Sequence, residues 1–412
     1  AYTLLEVDGG QLSFGEFVTT TTIGGVTVDA PPPTEEFGRR YEPYGSAGLL
    51  STVNYSADLP TVSQAILNIY EHVEGERLDG VILADAHVLE ALVRATGPVD
   101  IPQVGLVPAS EIVATLSNDA YDALPDSNAR KALLGQVAAA TLEGFLQRGA
   151  ASDPVRAARV LVEAGGRGHL QMFSADPEEQ AALLETGLSG SLMTPPDPDA
   201  VADVTMGVFS NNTGANKTDF YTDRVVEVDM QLLPNGGAVA TVAVTHTNDT
   251  PTSELPVDVI GPNTEDVGVG ENRLVTSLWC RGGCQLIGAG RDGADVGLTA
   301  DVEAGFDVFT INQLLQPGGE ETITFDLLLP TMAADGEMSL RFANQASVNP
   351  TRLRVDVTVP EGQEVHDRGD FVQAAGFWTW QQLPGPVQDL SLTVGPPDDL
   401  WSRTLRLLTT RL

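Results

Sequence analysis

The sequence predicts an α+β protein of several domains, an N-terminal α/β domain followed by an all-β sandwich, and three observations predict it. Helical and strand periodicities alternate between about residues 59 and 209. After Asp223 the helical period vanishes, and short strands bounded by Gly, Pro, Asn and Asp continue to Val359. The chain has 412 residues, 42% of them apolar, enough for packed cores in two or three domains. The expected boundaries are 1–224 for the α/β domain, 225–360 for the sandwich and 361–412 for a terminal segment. That segment holds three of the four tryptophans, Trp378, Trp380 and Trp401, and is expected to pack back on one of the domains.

Residues 2–7 and 11–19 read as strands around an Asp8-Gly9-Gly10 turn, a hairpin signal. Residues 31–43 are too rich in proline for regular structure. From Leu59 the period changes: Pro60 suits a helix start, and Val62, Ile66, Ile69 and Tyr70 fall on one face. The apolar run 78–85 reads as a strand ending in Asp85, which is placed to cap a helix over 86–95. Gly97-Pro98 ends that helix, and residues 99–101 resume a strand.

Further helices are expected over 108–124 and 128–148, and from Asp153-Pro154 to Gly165-Gly166. Residues 169–173 read as a buried strand, and Asp176-Pro177 opens a helix that Gly187 or Gly190 ends. Pro195-Pro196-Asp197-Pro198 reads as a surface crossing before a strand over 204–209. Residues 225–233 and 238–247 then form a hairpin about Asn235-Gly236-Gly237.

Charge narrows the function classes. The 22 basic residues face 57 acidic ones, a formal net charge of −35. Such a surface repels phosphate backbones and anionic lipid, so neither nucleic acid nor polybasic membrane docking is expected. Lysine occurs only at Lys131 and Lys217, a bias expected of a GC-rich coding genome, as in actinobacteria; salt adaptation is a second explanation for the acidity.

Cys280 and Cys284 are the only cysteines, separated by Arg-Gly-Gly. The glycines let the chain turn back so that the sulfurs meet, and a local disulfide implies an oxidising compartment. The histidines His72, His87, His169, His246 and His366 show no metal or triad spacing, so neither a metal nor a cofactor is expected. No stretch approaches the length of a membrane helix. Strand-like sequence begins directly at Ala1, as expected of a piece of a longer chain.

Several runs in order resemble the bacterial family of unknown function DUF4012. They are Asn54 to Pro60, Leu78 to Asp85 with Gly97-Pro98-Val99 after it, and Asn211 to Tyr221 before the β-rich half. Leu315 to Glu320, leading into 322–329, completes the set, and the resemblance spans about residues 1–330. It implies an envelope protein anchored in the cytoplasmic membrane through an N-terminal helix. The order of loop, helix, Asp-Gly strand, helix and Gly-Pro-Val strand is more loosely similar to the LytR–CpsA–Psr family. Those enzymes transfer glycopolymers from polyprenyl-pyrophosphate carriers, with arginines and an aspartate around a metal-bound pyrophosphate. That similarity implies a LytR–CpsA–Psr-like α/β domain, although the expected arginine motif is absent.

Two basic features are candidate ligand contacts. Arg39-Arg40 is an adjacent pair whose forks suit pyrophosphate; its plainer reading is a solvated pair offsetting Glu35-Glu36. Lys217 sits in an Asn/Gly/Thr-rich loop that either binds an anion or joins the domains. Asp85 is read as a helix cap rather than a metal ligand. The favoured expectation is a non-catalytic, extracytoplasmic, membrane-tethered protein handling surface glycopolymer or assembling the cell surface. Its partners would be other envelope proteins or cell-wall glycopolymer. A phosphotransferase with an apolar tunnel, and a structural subunit with an open edge strand, are the rivals.

Overall fold

A computed structural model of the chain describes residues 2–9, 11–18, 20, 23, 27–101, 105–119, 121, 127–146, 153–192, 204–252, 255–333 and 336–397. The expected crossing at 195–198, Trp401, and the ends of the strand over 11–19 and of the helices over 108–124 and 128–148 lie outside these residues.

Asp8 and Gln11 close a hairpin of Leu5–Asp8 with Gln11–Phe14, Gly9 taking the left-handed φ of 55° that the turn requires. The proline-rich stretch then yields a short helix, α1 (Glu35–Tyr41), because the Thr34 side chain caps it by accepting from Phe37 N. Helix α2 (Leu59–Glu74) starts at the expected place, with Asp58 as its cap and Pro60 in its first turn. Phe37, Tyr41, Val62, Ile69 and Tyr70 form one small core, with Ile66 packed at its edge.

Asp85 caps α3 (Ala86–Thr96), accepting from His87 N at 2.8 Å. A short α4 (Ala109–Ala114) runs into one wide helical turn at Thr115–Asp119, and α5 (Ser127–Gly144) follows. Asp153 caps α6 (Pro154–Gly165), and Asp176 caps α7 (Pro177–Thr186), which ends at Gly187. Val88 and Leu92 of α3 meet Ala164 of α6, Phe145 and Leu170, which fixes α3 and α6 side by side.

This half mixes helices and strands as expected, but the strands pair in antiparallel twos rather than in a parallel layer. Gly80–Ala84 pairs with Leu170–Ser174, and Val99–Ile101 with Gly105–Val107. A parallel layer is covered on both faces; here Ile82, inside the apolar run, is 46% exposed. Residues 99–101 find their partner only a few residues on, the closure that costs least chain entropy.

The β-rich half is two mixed sheets sharing one core. The first has the order Thr299–Glu303, Phe306–Leu315, Asn272–Arg281, Val204–Asn212, Glu337–Asn344, Val387–Gly395, Glu364–Asp367. The second has the order Ala294–Asp295, Gln285–Arg291, Gly319–Leu329, Ala238–Asn248, Thr222–Leu232, Arg352–Thr358, Trp378–Gln382, Val372–Gln373. Alternation is strict in Ala238–Asn248, where every second side chain is buried. The hairpin expected about Asn235-Gly236-Gly237 is formed, with Gly236 at φ 82°.

Both expected boundaries of this half differ from the sheets. Val204–Asn212 is an interior strand of the first sheet, so the sheet begins before residue 225. The change of composition near Asp223 marks where helices stop; the mostly apolar run at 204–209, broken only by Thr205, is itself the signature of an interior strand. The segment 361–397 supplies strands to both sheets, with Trp380 2% exposed and paired to Val355. Each sheet holds one parallel pair, Glu337–Asn344 with Val204–Asn212 and Arg352–Thr358 with Thr222–Leu232.

Candidate functional site

Arg39 and Arg40 are ion-paired across the junction between the two halves, and the charges of Glu36 and Glu35 also act on Arg39. Arg39, exposed, reaches Asp301 at 2.6 Å, and its guanidinium holds the Asp301 carboxyl below the usual range. Arg40 Nε donates to Glu303 Oε2 at 2.8 Å with both side chains buried, and Tyr41 Oη donates to the same oxygen at 2.8 Å. The Arg40 guanidinium also lies 5.7 Å from the Trp279 ring centroid. Burial pushes the Glu303 carboxyl up, against the pull of Ser56, Arg40 and Tyr41. Helix α1 is thereby tied to the edge strand Thr299–Glu303 of the first sheet at Asp301 and Glu303.

Lys217 is exposed, on a loop tied up by its own neighbours. Buried Asn216 accepts from Asn212 Nδ2 and Thr218 Oγ1 and donates to Glu271 O, while Lys217 N donates to Val259 O. The loop joins strands of opposite sheets. Cys280 and Cys284 form the expected disulfide, with Gly282 and Gly283 at φ 108° and 78° between them.

Two histidines that the sequence scatters are brought together. The rings of His87, on α3, and His169, before the strand Leu170–Ser174, lie against each other at 37°, with centroids 4.3 Å apart. His169 Nδ1 lies 2.6 Å from Asp85 Oδ2, so the helix cap also orients this ring and leaves Nε2 as its other face. His87 bridges the halves: Nε2 is 3.0 Å from Val348 O, and Nδ1 is 3.2 Å from Glu90 Oε2.

Beside the histidines, α3 and α6 line an open cleft of about 390 Å³. Arg94, Arg156 and Arg159 stand on it with Asp153, Val155 and Glu163, and a smaller depression lined by His87, His169, Glu90 and Arg167 adjoins it through Arg94 and Glu163. Arg156 Nη2 donates to Arg94 O at 3.1 Å, and Arg94 pairs with Glu90. Arg159 and Arg167 make no ion pair among the described residues. The helical period of α6 puts Arg156, Arg159 and Glu163 on one exposed face, a signal present in the sequence. The placement of α6 beside α3, through Ala164, is not. Among the described residues no cluster of three His, Cys, Asp or Glu is placed to hold a metal ion, and no helix is long and apolar enough to cross a membrane.

Residues 1–121 match the profile of DUF4012, described as a protein of unknown function. The match supports the family resemblance over that stretch, which contains the hairpin, α1 to α4 and the strand Gly80–Ala84. No curated protein matches the sequence. A putative nutrient binding protein of Legionella pneumophila is similar at 13% identity and a TM-score of 0.28, over 46% of this chain and 70% of that one. An M1 zinc metallopeptidase of Deinococcus radiodurans follows at 15% and 0.23, over 42% of each chain. A leukotriene A4 hydrolase of yeast follows at 8% and 0.27, over 50% of this chain. This chain spans 42% and 32% of the lengths of these two enzymes. Scores of this size carry no argument about fold or activity.

Proposed function

We propose that this is a non-catalytic, extracytoplasmic protein of the cell envelope that handles surface glycopolymer or assembles the cell surface. In this reading its two halves act as one platform, and its partners are cell-wall glycopolymer or other envelope proteins. The observation that carries it is the clamp of Arg40 and Tyr41 on Glu303, beside Arg39 on Asp301. The arginines a transferase would need at a substrate mouth there are bound into the junction. The disulfide fits an oxidising compartment, and the net charge of −35 suits a protein kept soluble outside the cell and away from nucleic acid.

The rival transferase, reasoned from the looser LytR–CpsA–Psr similarity, calls for an apolar tunnel, whereas the clefts over α3 and α6 are lined by charged side chains. A subunit that pairs through an open edge finds short ones: Ala294–Asp295, Val372–Gln373, Glu364–Asp367 and Thr299–Glu303, the last tied to α1 at one end. The test is co-sedimentation of the purified chain with isolated cell walls, before and after chemical removal of their glycopolymer. Binding lost with the glycopolymer supports the reading. Equal sedimentation with stripped and intact walls, or none with either, overturns it.

A further inference from the structure

We propose that the cleft over α3 and α6 is a binding site for a phosphate ester, which deepens the preceding reading by naming the group through which a glycopolymer would be held. The charge of the cleft opposes that of the chain. Arg94, Arg156 and Arg159 line the cleft with Asp153 and Glu163, and the adjoining depression adds Arg167 and Glu90, in a protein whose acidic residues outnumber its basic ones by 35. Two of those carboxylates are already engaged: Glu90 by Arg94 and His87, and Asp153 by the first turn of α6. Arg159 and Arg167 are exposed and make no ion pair among the described residues, and the bond from Arg156 to the end of α3 leaves that guanidinium further donors.

The donor set selects the ligand class. A planar carboxylate is satisfied by one guanidinium fork, whereas a tetrahedral phosphate offers oxygens in several directions and accepts from several arginines together. His169, held by Asp85 through Nδ1, lines the smaller depression as another polar residue. Apolar surface borders the arginines: Val155 is 70% exposed on the rim of the cleft, and Val162, seven residues on and on the same side of α6, is 67% exposed. Side chains of this kind left in water beside an anion site suit the carbon part of an ester. A cleft of about 390 Å³ has room for one phosphorylated polyol or sugar unit.

The experiment is calorimetric titration of the whole chain with glycerol phosphate and glucose 1-phosphate, against inorganic phosphate and acetate at matched ionic strength. Saturable binding of the esters, at least tenfold tighter than inorganic phosphate and absent for acetate, is expected. The double variant Arg159→Gln, Arg167→Gln is expected to lose tenfold or more in ester affinity with an unchanged melting temperature. Unchanged affinity in that variant, esters no tighter than inorganic phosphate, or binding only to phosphatidylglycerol vesicles each overturns the proposal. Cell-wall binding that survives the double variant overturns this inference and leaves the envelope reading standing; saturable ester binding without any wall binding does the reverse.

Discussion

Arg40 Nε lies 2.8 Å from Glu303 Oε2, and the two side chains are 8% and 1% exposed. A carboxylate placed so deeply is tolerated because a guanidinium and the Tyr41 hydroxyl share one of its oxygens. Removing one partner of a buried pair strands the other, at a cost of about 3–5 kcal/mol. Arg40→Ala is therefore expected to lower the urea midpoint strongly. Arg39→Ala, which removes an exposed pair with Asp301, is expected to leave the midpoint almost unchanged. Equal effects of the two substitutions in urea titrations would refute this division of roles.

His246 gives the stability a pH dependence. Burial, and then the nearby Arg224 charge, push its pKa from 6.5 down to about 3. The folded state therefore binds fewer protons than the unfolded chain between these values, so this contribution to stability is full above pH 6.5 and is lost on descending toward pH 3. Between pH 6.5 and 5, before most carboxylates titrate, the slope from this one group approaches about 1.4 kcal/mol per pH unit. His246→Gln retains a group able to bond Ser210 Oγ, the present partner of Nε2. It is expected to flatten that window in pH-dependent urea unfolding; an unaltered slope counts against the assignment.

Cys280 and Cys284 enclose a loop with a sequence separation of 4. Chain entropy assigns so short a loop about 2 kcal/mol of stabilisation. Thiol titration of the unfolded chain is expected to find no free thiol until a reductant is added, and reduction should lower stability by about that amount. Free thiols without reductant would count against an oxidising compartment.

Asn216 is expected to matter where its neighbour Lys217 does not. Its buried amide holds Asn212, Thr218 and the Glu271 carbonyl, so Asn216→Ala leaves donors and acceptors unsatisfied at about 1–3 kcal/mol. Lys217→Ala changes an exposed side chain and is expected to leave thermal unfolding where it was. A large drop for Lys217→Ala would show a role for that charge beyond this loop.

Local signals were legible in the sequence wherever a single residue does the physical work. Asp85, Pro60, Gly97 and Gly187 mark helix ends, and Asn235-Gly236-Gly237 closes a hairpin, because caps and turns depend on neighbours within four residues. The paired cysteines were legible for the same reason. Strand partnership was not: the apolar run at 78–85 does not reveal that its partner is Leu170–Ser174 or that they lie antiparallel. Nor does an Arg-Arg pair announce a carboxylate more than two hundred positions away. The cleft was hidden most completely, since His87 meets His169, and α3 meets α6, only through packing of Leu92, Ala164 and Leu170.

The two parallel pairs bear on how the chain reaches its native state. Val204–Asn212 and Thr222–Leu232 each wait for a neighbour, Glu337–Asn344 or Arg352–Thr358, that leaves the ribosome long afterwards. During synthesis both strands present an unpaired side, and a fragment ending at the change of composition near residue 224 would strand one of them altogether. Distant pairings such as Val204 with Leu340 make the contact order high and folding slow. Neither sheet is complete until that late stretch of chain arrives, so both layers of the sandwich reach their final order only near the end of synthesis.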